Sequence, residues 1–324
     1  MYQFVCLMFG LGPGSRIFTK LLKIPMSILR RIHVRILIYI DDMLIMNSSV
    51  DGCLQARDTV IYLLTALGFV INFPKSMMEP SQTMEFLGVL VDSLKMSLTI
   101  PQGKMNNLTT LCKKTLTSPR LTLRDLARLI GKLRATGPAF NPAPLQTRYL
   151  QQSLILAQKQ RKSYESMVTL DNQAVAELEW WTLNMETMNG RSLLIAAPDL
   201  IISSDAAKLA WGAEGGETPT GGTWTAEERE LHINVRETLA AAMALLTFTK
   251  HLHNRRVHLK VDNTTTLSYL SKMGGNRSVQ LLEISKRVWS YLMSKKITLT
   301  LEYVPSALNV TADWESRNWR DSSE

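Results

Sequence analysis

Two adjacent carboxylates interrupt a strongly apolar stretch early in the sequence. Asp41 and Asp42 stand in the middle of "ILIYIDDMLIM", where burial should be greatest and neighbouring like charges repel each other. One interpretation is a hairpin turn, although two-residue turns prefer Asn-Gly or Asp-Gly because their central residues need a positive φ. The other is a metal site, since Mg²⁺ takes oxygen ligands and neutralises paired acids. The short motif alone leaves both interpretations open.

Four further acids lie beyond residue 200. Asp205 ends the apolar strand "LIISSD", and Asp262 ends the strand "RVHLKVD" just before a helix start at "NTTT". Glu237 lies one turn into a helix that begins near Asn234, and Asp313 stands in "NVTADWESR". Strand ends in an α/β layer meet at one edge of the sheet, and the apolar face of the helix carries Glu237 towards that edge.

These four acids predict a two-metal site. In one cleft they would repel each other without cations, so two Mg²⁺ or Mn²⁺ ions are the expected cofactors. Two metals about 4 Å apart clamp the attacking and leaving oxygens of a phosphodiester displacement. The alternative is four unrelated acids, two of which cap helices.

The first 100 residues alternate between helix-like and strand-like segments. The pattern predicts, in chain order, a helix over 16–30, a strand over 34–40, its hairpin partner over 43–46, a helix over 52–67 and a hairpin over 84–100. Asp41 and Asp42 then lie at the tip of the first hairpin, and Asp92 and Ser93 at the turn of the second.

The next 90 or so residues are expected to be helical throughout, with a loop at "GPAFNPAPL". Two helices should follow this loop, over 146–167 and 172–188. Trp180 and Trp181 are expected in the core, and base stacking by one of them is the less favoured alternative. From residue 200 onward strands and helices alternate again.

Size and charge limit the class of protein. A chain of 324 residues exceeds what one hydrophobic core usually serves, so two or three domains are expected. The 37 Lys and Arg exceed the 28 Asp and Glu, which gives a net charge of +9 and favours a polyanionic partner such as nucleic acid. Cys6, Cys53 and Cys112 lie far apart, so neither a disulfide framework nor a cysteine zinc site is indicated.

The sequence predicts a protein of the cytoplasm or nucleus that is not secreted. Its longest apolar stretches reach about half the length of a bilayer span, so no membrane partner is expected. The N-terminal "MYQFVCLMFGLGPGS" lacks the basic region of a secretory signal.

Several motifs in order resemble a known family. The segments "YQFVCLMFGLGPGSRIFTK", "YIDD", "LGFVINFPKS" and "FLGVLVDS" follow the order of a reverse transcriptase palm. The later segments "HINVRETLA", "VDNTTTLSYLSKMGG" and "NVTADWESR" resemble the RNase H domain of retroelement polyproteins, most closely the DIRS-like retrotransposons. The resemblance covers nearly the whole chain, and its ordered motifs are more specific than YIDD alone.

The resemblance implies a role for individual residues. Tyr39, Asp41 and Asp42 match the catalytic-loop tyrosine and metal-binding pair of the polymerase, and Lys75 is implied to lie near the nucleotide phosphates. Residues 10–16 would contact template and nucleotide, and residues 86–93 would form the hairpin that grips the primer. The RNase H metal-binding acids are matched, in order, by Asp205, Glu237, Asp262 and Asp313.

The implied architecture is a multidomain chain of the α+β and α/β classes. It consists of a partial reverse transcriptase palm over 1–100, a helical thumb and connection over 101–192, and an RNase H-like α/β domain over 193–324. Two departures from the family pattern stand out. Residues 1–40 contain no acid to complete the polymerase site, so the fingers and the upstream palm strand are expected to be missing, and "VPSALNV" lacks the histidine common before the last acid.

The leading functional hypothesis is a retroelement RNase H that cleaves the RNA strand of RNA–DNA hybrids, fused to a truncated palm. One alternative is an inert relic that only binds nucleic acid. Another is a full polymerase that binds template–primer nucleic acid, which requires either that the chain is a fragment of a complete reverse transcriptase or that a second chain supplies the missing fingers. The candidate phosphate contacts are four basic residues, Lys272, Arg277, Lys286 and Arg287.

Overall fold

The computed structural model describes residues 10–160, 163–194 and 196–318, so Cys6 lies outside the described residues. In these ranges the chain is a mixed α/β protein with several separate sheets. It divides into two compact units, Met1–Met96 and Ser97–Glu324. In the part of the chain that is described, no helix combines the length and the apolar character needed to span a bilayer.

The first unit begins with two helices around a hairpin. These elements are α1 (Gly14–Arg31), β1 (Arg35–Tyr39), β2 (Asp42–Met46) and α2 (Val50–Ala66), which confirms the expected segments to within a few residues. The strands pair antiparallel from Arg35↔Met46 to Tyr39↔Asp42. Apolar side chains of both helices and the hairpin form one core, made of Leu22, Met26, Leu29, Ile36, Val60 and Leu64.

A second hairpin closes this unit. Its strands are β3 (Thr83–Phe86) and β4 (Val89–Asp92), joined by Leu87 and Gly88. Both joining residues have positive φ, 51° and 74°, as a tight hairpin turn of this twist requires. No turn was expected at Leu87 and Gly88. The expected turn at Asp92 and Ser93 is also present: it follows β4, and Asp92 Oδ1 accepts hydrogen bonds from the amides of Leu94 and Lys95.

The second unit starts with a mainly helical segment. Its elements are β5 (Ser97–Thr99), α3 (Gln102–Thr117), β6 (Arg120–Thr122), α4 (Leu123–Arg134), α5 (Arg148–Lys159), β7 (Met167–Thr169), α6 (Asn172–Asn184) and β8 (Arg191–Ser192). Trp181 is fully buried in this segment, as expected, and its Nε1 donates to the Gln146 carbonyl at 2.7 Å, whereas Trp180 is half-buried.

The expected helix over 146–167 is wrong in its second half. Helix α5 ends at Lys159, and β7 then pairs antiparallel with β6. The first amides of a helix have no partner inside it, and here the Leu123 amide at the start of α4 donates to the Ser166 carbonyl at 3.0 Å. The segment is therefore held as a strand by a neighbour distant in sequence.

The last third of the chain forms a five-stranded sheet with helices. In chain order its elements are β9 (Leu200–Ala206), β10 (Ala210–Gly215), β11 (Thr218–Thr223), α7 (Ala226–Arg229), α8 (Ile233–Thr249), β12 (Arg256–Val261), α9 (Thr264–Ser271), α10 (Val279–Ser294), β13 (Thr298–Tyr303) and α11 (Val310–Asn318). The strand order is β11-β10-β9-β12-β13; the first three strands are antiparallel, and β12 runs parallel to both β9 and β13.

A buried polar network joins the helical segment to this sheet's helices. The carboxylate of Glu177 on α6 is 2% exposed and accepts hydrogen bonds from the amides of Tyr149 and Leu150, at the start of α5. It also accepts a bond of 2.7 Å from Nζ of Lys286 on α10. The buried carboxylate is thus compensated from both segments of the unit.

Candidate metal centre

The register of two parallel strands brings two of the acids side by side. Strand β12 pairs with β9 up to Val261↔Ser204, so the next residues along, Asp262 and Asp205, lie level with each other. Both stand at the carboxyl ends of their strands, the edge at which ligands bind in α/β sheets.

The third acid comes from helix α8, which packs on β9 and β10. Glu237 lies in the second turn of this helix, whose following residues Ala240, Ala241 and Ala244 are fully buried. Carboxylate oxygens of Asp205, Glu237 and Asp262 all lie within 4.8 Å of one another. Three of the four acids expected to form the site are therefore brought together.

The electrostatics of this group favour a bound cation. Burial, followed by the charges of Asp205 and Asp262, raises the pKa of Glu237 to about 9. Burial also raises the pKa of Asp205, and the charges of Asp262 and Asp313 add to this effect. Three hard oxygen donors whose negative charges repel each other suit Mg²⁺ or Mn²⁺, which would neutralise that repulsion.

Two serine hydroxyls hold the aspartates. Ser316 Oγ donates to Asp205 Oδ2 at 2.5 Å, and Ser306 Oγ donates to Asp262 Oδ2 at 2.7 Å. Ser306 lies in "VPSALNV", the segment that lacks the expected histidine. Hydrogen bonds of this kind orient carboxylates that ligate metals.

Asp313 lies near the group but outside it. It is in the first turn of α11, and its Oδ1 accepts from Nε of Arg317 at 2.8 Å and lies 2.7 Å from Nη2 of the same residue. Among the described residues the close acidic group has three members, and Asp313 is not one of them. Its charge nevertheless raises the pKa of Asp205, so it belongs to the same electrostatic environment.

A glycine lets α11 approach the sheet this closely. Gly212 on β10 pairs with Asp205, and a Cβ at this position would lie 2.3 Å from both the Ala312 carbonyl oxygen and the Ser316 amide nitrogen. Any larger residue would push α11 away. Asn309, just before this helix, is 3% exposed and donates from Nδ2 to the Ser204 carbonyl at 2.9 Å, which ties the start of α11 to β9.

Sequence reasoning missed these supporting residues. Ser316 could have been found, because it lies three residues after Asp313 and so shares a helical face with it. Gly212, Ser306 and Asn309 carry no local signal, since their roles depend on contacts with residues about 44 to 105 positions away.

The pair at the first hairpin has a different environment. The central residues of the turn are Ile40 and Asp41, one position earlier than expected, while Asp42 pairs with Tyr39. Ile40 has φ 54°, which is unusual for a β-branched residue. Tyr39, Asp41 and Asp42 are all exposed, and no third acid, His or Cys of the described ranges joins the aspartates in a compact ligand group.

The remaining candidates are basic residues. Lys75 is exposed in a 3-10 turn, Phe73–Lys75, and its implied role stays a prediction. Lys286 was expected to contact phosphate on the surface, and this is wrong, because its ammonium pairs with buried Glu177 and lies 3.7 Å from the centre of the Tyr149 ring.

The other three expected phosphate contacts, Lys272, Arg277 and Arg287, are exposed.

No family model and no curated protein matches the chain. Several solved structures do. A foamy viral protease-reverse transcriptase in complex with dsDNA has a TM-score of 0.46 at 15% identity, covering 91% of this chain and 59% of that one. The same viral protein in complex with an RNA/DNA hybrid has a TM-score of 0.45 at 14% identity, covering 87% and 37%.

RNase H1 from the halophilic archaeon Halobacterium salinarum NRC-1 has a TM-score of 0.31 at 18% identity, covering 37% of this chain and 97% of that protein. The chain spans 37% to 59% of the length of the foamy viral proteins in these matches. All of these TM-scores lie below 0.5, so the geometry of the acidic group carries the functional conclusion.

Proposed function

We propose that the C-terminal domain, residues 193–324, cleaves the RNA strand of RNA–DNA hybrids by two-metal hydrolysis. The observation that carries this proposal is the acidic group itself: three carboxylates have oxygens within 4.8 Å of one another, two of them at the carboxyl ends of β9 and β12 and the third on α8. The strand order, with a central strand flanked by antiparallel and parallel neighbours, agrees with the RNase H-like domain that the motifs resemble.

The residues of the chain have distinct roles in this mechanism. Asp205, Glu237 and Asp262 would hold the cations, and Asp313 would complete the set from α11. Ser316 and Ser306 would keep two of the carboxylates oriented. When bound, two divalent cations supply the activation of water and the stabilisation of the leaving oxygen. Glu237 must release its proton as the site is loaded.

We further propose that the chain derives from a retroelement of the DIRS-like type, with residues 1–100 as part of a reverse transcriptase palm and 101–192 as thumb and connection. Tyr39, Asp41 and Asp42 would be the catalytic-loop residues of that palm. The compact acidic group supports a catalytic protein over a relic that only binds nucleic acid, since four acids in one environment would be costly without cations.

The test is cleavage of a labelled RNA–DNA hybrid by the full chain in Mg²⁺ or Mn²⁺, with a DNA duplex and an RNA duplex as comparison substrates. Asp205→Asn and Asp262→Asn should each lower the rate by orders of magnitude while the circular dichroism spectrum stays unchanged. Glu217→Gln removes one exposed acid in the turn between β10 and β11 of the same domain and serves as the matched control. Equal cleavage by the wild type and both aspartate variants would overturn the proposal.

A further inference from the structure

A basic cleft lies at the end of the five-stranded sheet opposite the acids, where β9, β12 and β13 begin. It has a volume of about 300 Å³. Three cationic side chains (Arg255, Arg256 and Lys296) and one carboxylate (Asp199) line it. The rest of the lining comes from Ala197, Asn254 and Thr298.

The cations of this cleft are only partly neutralised. The Asp199 carboxylate bonds more closely to a backbone amide than to a cationic side chain: its Oδ2 accepts a hydrogen bond from the Arg256 amide at 2.7 Å. Its Oδ1 lies 3.5 Å from Nη1 of Arg255, a long contact between exposed groups. Within the described residues no ion pair involves the side chains of Arg256 or Lys296. Three positive charges thus face one negative charge.

The backbone that carries these charges is fixed. Asn254 and Lys296 both have positive φ, 51° and 55°, so two tight turns meet here. The Asn254 amide donates to the Lys295 carbonyl at 2.9 Å, and the Thr298 amide donates to the Arg255 carbonyl at 2.9 Å. These bonds fix the backbone from which the cationic side chains extend, so only the side chains remain to be ordered when an anion binds.

We propose that this cleft binds the phosphodiester backbone of nucleic acid as a second contact, remote from the acidic group. Strand β12 separates the two sites by six residues, or about 20 Å at roughly 3.3 Å per residue. The choice of nucleic acid rests on the proposed function. An anionic membrane surface is disfavoured, because the lining lacks the large apolar side chains that enter a bilayer interface.

The test is binding of a labelled hybrid to the full chain, measured by fluorescence anisotropy in EDTA over a range of salt concentrations. The double variant Arg256→Gln/Lys296→Asn removes two charges, and asparagine tolerates the positive φ at residue 296. We expect weaker binding for all sequences and a salt slope smaller by about 2, one for each lost phosphate contact. The matched control is Lys113→Gln/Lys114→Gln on α3, which removes two exposed charges elsewhere.

Equal losses in the two double variants would mean that only net charge matters, and would overturn the proposal. So would unchanged hybrid binding by the cleft variant combined with loss of binding to vesicles containing phosphatidylserine. If the hybrid is cleaved, the cleft variant should raise KM and leave kcat unchanged. If the chain binds the hybrid without cleaving it, the proposed function fails, and the anisotropy data still decide the role of the cleft.

Discussion

At the scale of single residues, Glu237 is strongly affected by its neighbours. Burial and two adjacent aspartates raise its pKa from an ordinary 4.5 to about 9, so without metal it is protonated at neutral pH. A divalent cation reverses this balance, because it attracts all three carboxylates at once. Metal binding should therefore release a proton and depend on pH.

Glu237 gives the metal-free protein a pH-dependent stability. Its folded-state pKa lies above its unfolded value, so its stabilising contribution is complete below about pH 4.5 and is lost as pH rises towards 9. Urea unfolding of the metal-free chain should give a lower free energy of unfolding at pH 9 than at pH 6. In Glu237→Gln this difference should shrink; a wild-type difference that persists in the variant would contradict the assignment.

Ser316 should act through Asp205 rather than on the substrate. Ser316→Ala removes the 2.5 Å bond to Asp205 Oδ2, and loss of such an orienting bond costs about 10- to 100-fold in metal affinity or activity. Calorimetric titration with Mn²⁺ should show weaker binding, and the KM for the hybrid should not change. Ser316→Thr keeps the hydroxyl and should restore metal affinity; an alanine variant with wild-type metal affinity would exclude this role.

At the scale of elements, α11 depends on one glycine. Gly212→Ala would place a methyl group 2.3 Å from two backbone atoms of α11. Because both are backbone atoms, no side-chain rotation can relieve the clash. We expect a lower melting temperature and a large loss of cleavage, since Asp313 and Ser316 move with the helix. Gly131→Ala is the matched control, because a Cβ there meets nothing within 4 Å and should stabilise α4 by about 0.5–1 kcal/mol.

Helices and strands were predictable where local pattern and tertiary contacts agree. The apolar runs that end in Asp205 and Asp262 are strands, and their shared edge follows from parallel pairing. The segment after Lys159 was mispredicted because its carbonyls bond to the start of α4, a partner about 40 positions away. The acids could be predicted because the ends of apolar strands are a local signal in the sequence. Their supporting residues could not, because the packing of α11 on Gly212 depends on residues distant in sequence.

At the scale of the whole molecule, the two acidic sites are unequal. Asp41 and Asp42 are exposed on a single hairpin, and palm chemistry needs two metals held by acids of different strands. We expect no primer extension by this chain on an RNA template, with Mg²⁺ or with Mn²⁺. Extension by the wild type that disappears in Asp41→Asn would show that a complete polymerase site forms after all, and would overturn this prediction.

The buried pair of Glu177 and Lys286 bears on how such a gene can recombine. Separating the two residues leaves an uncompensated charge inside one or both products, at a cost of roughly 3–5 kcal/mol. A crossover between codons 177 and 286 with a divergent relative therefore yields a less stable protein, unless the relative carries the same pair. The helical segment and the domain that holds the acids should consequently be inherited together, as one block of linked sequence.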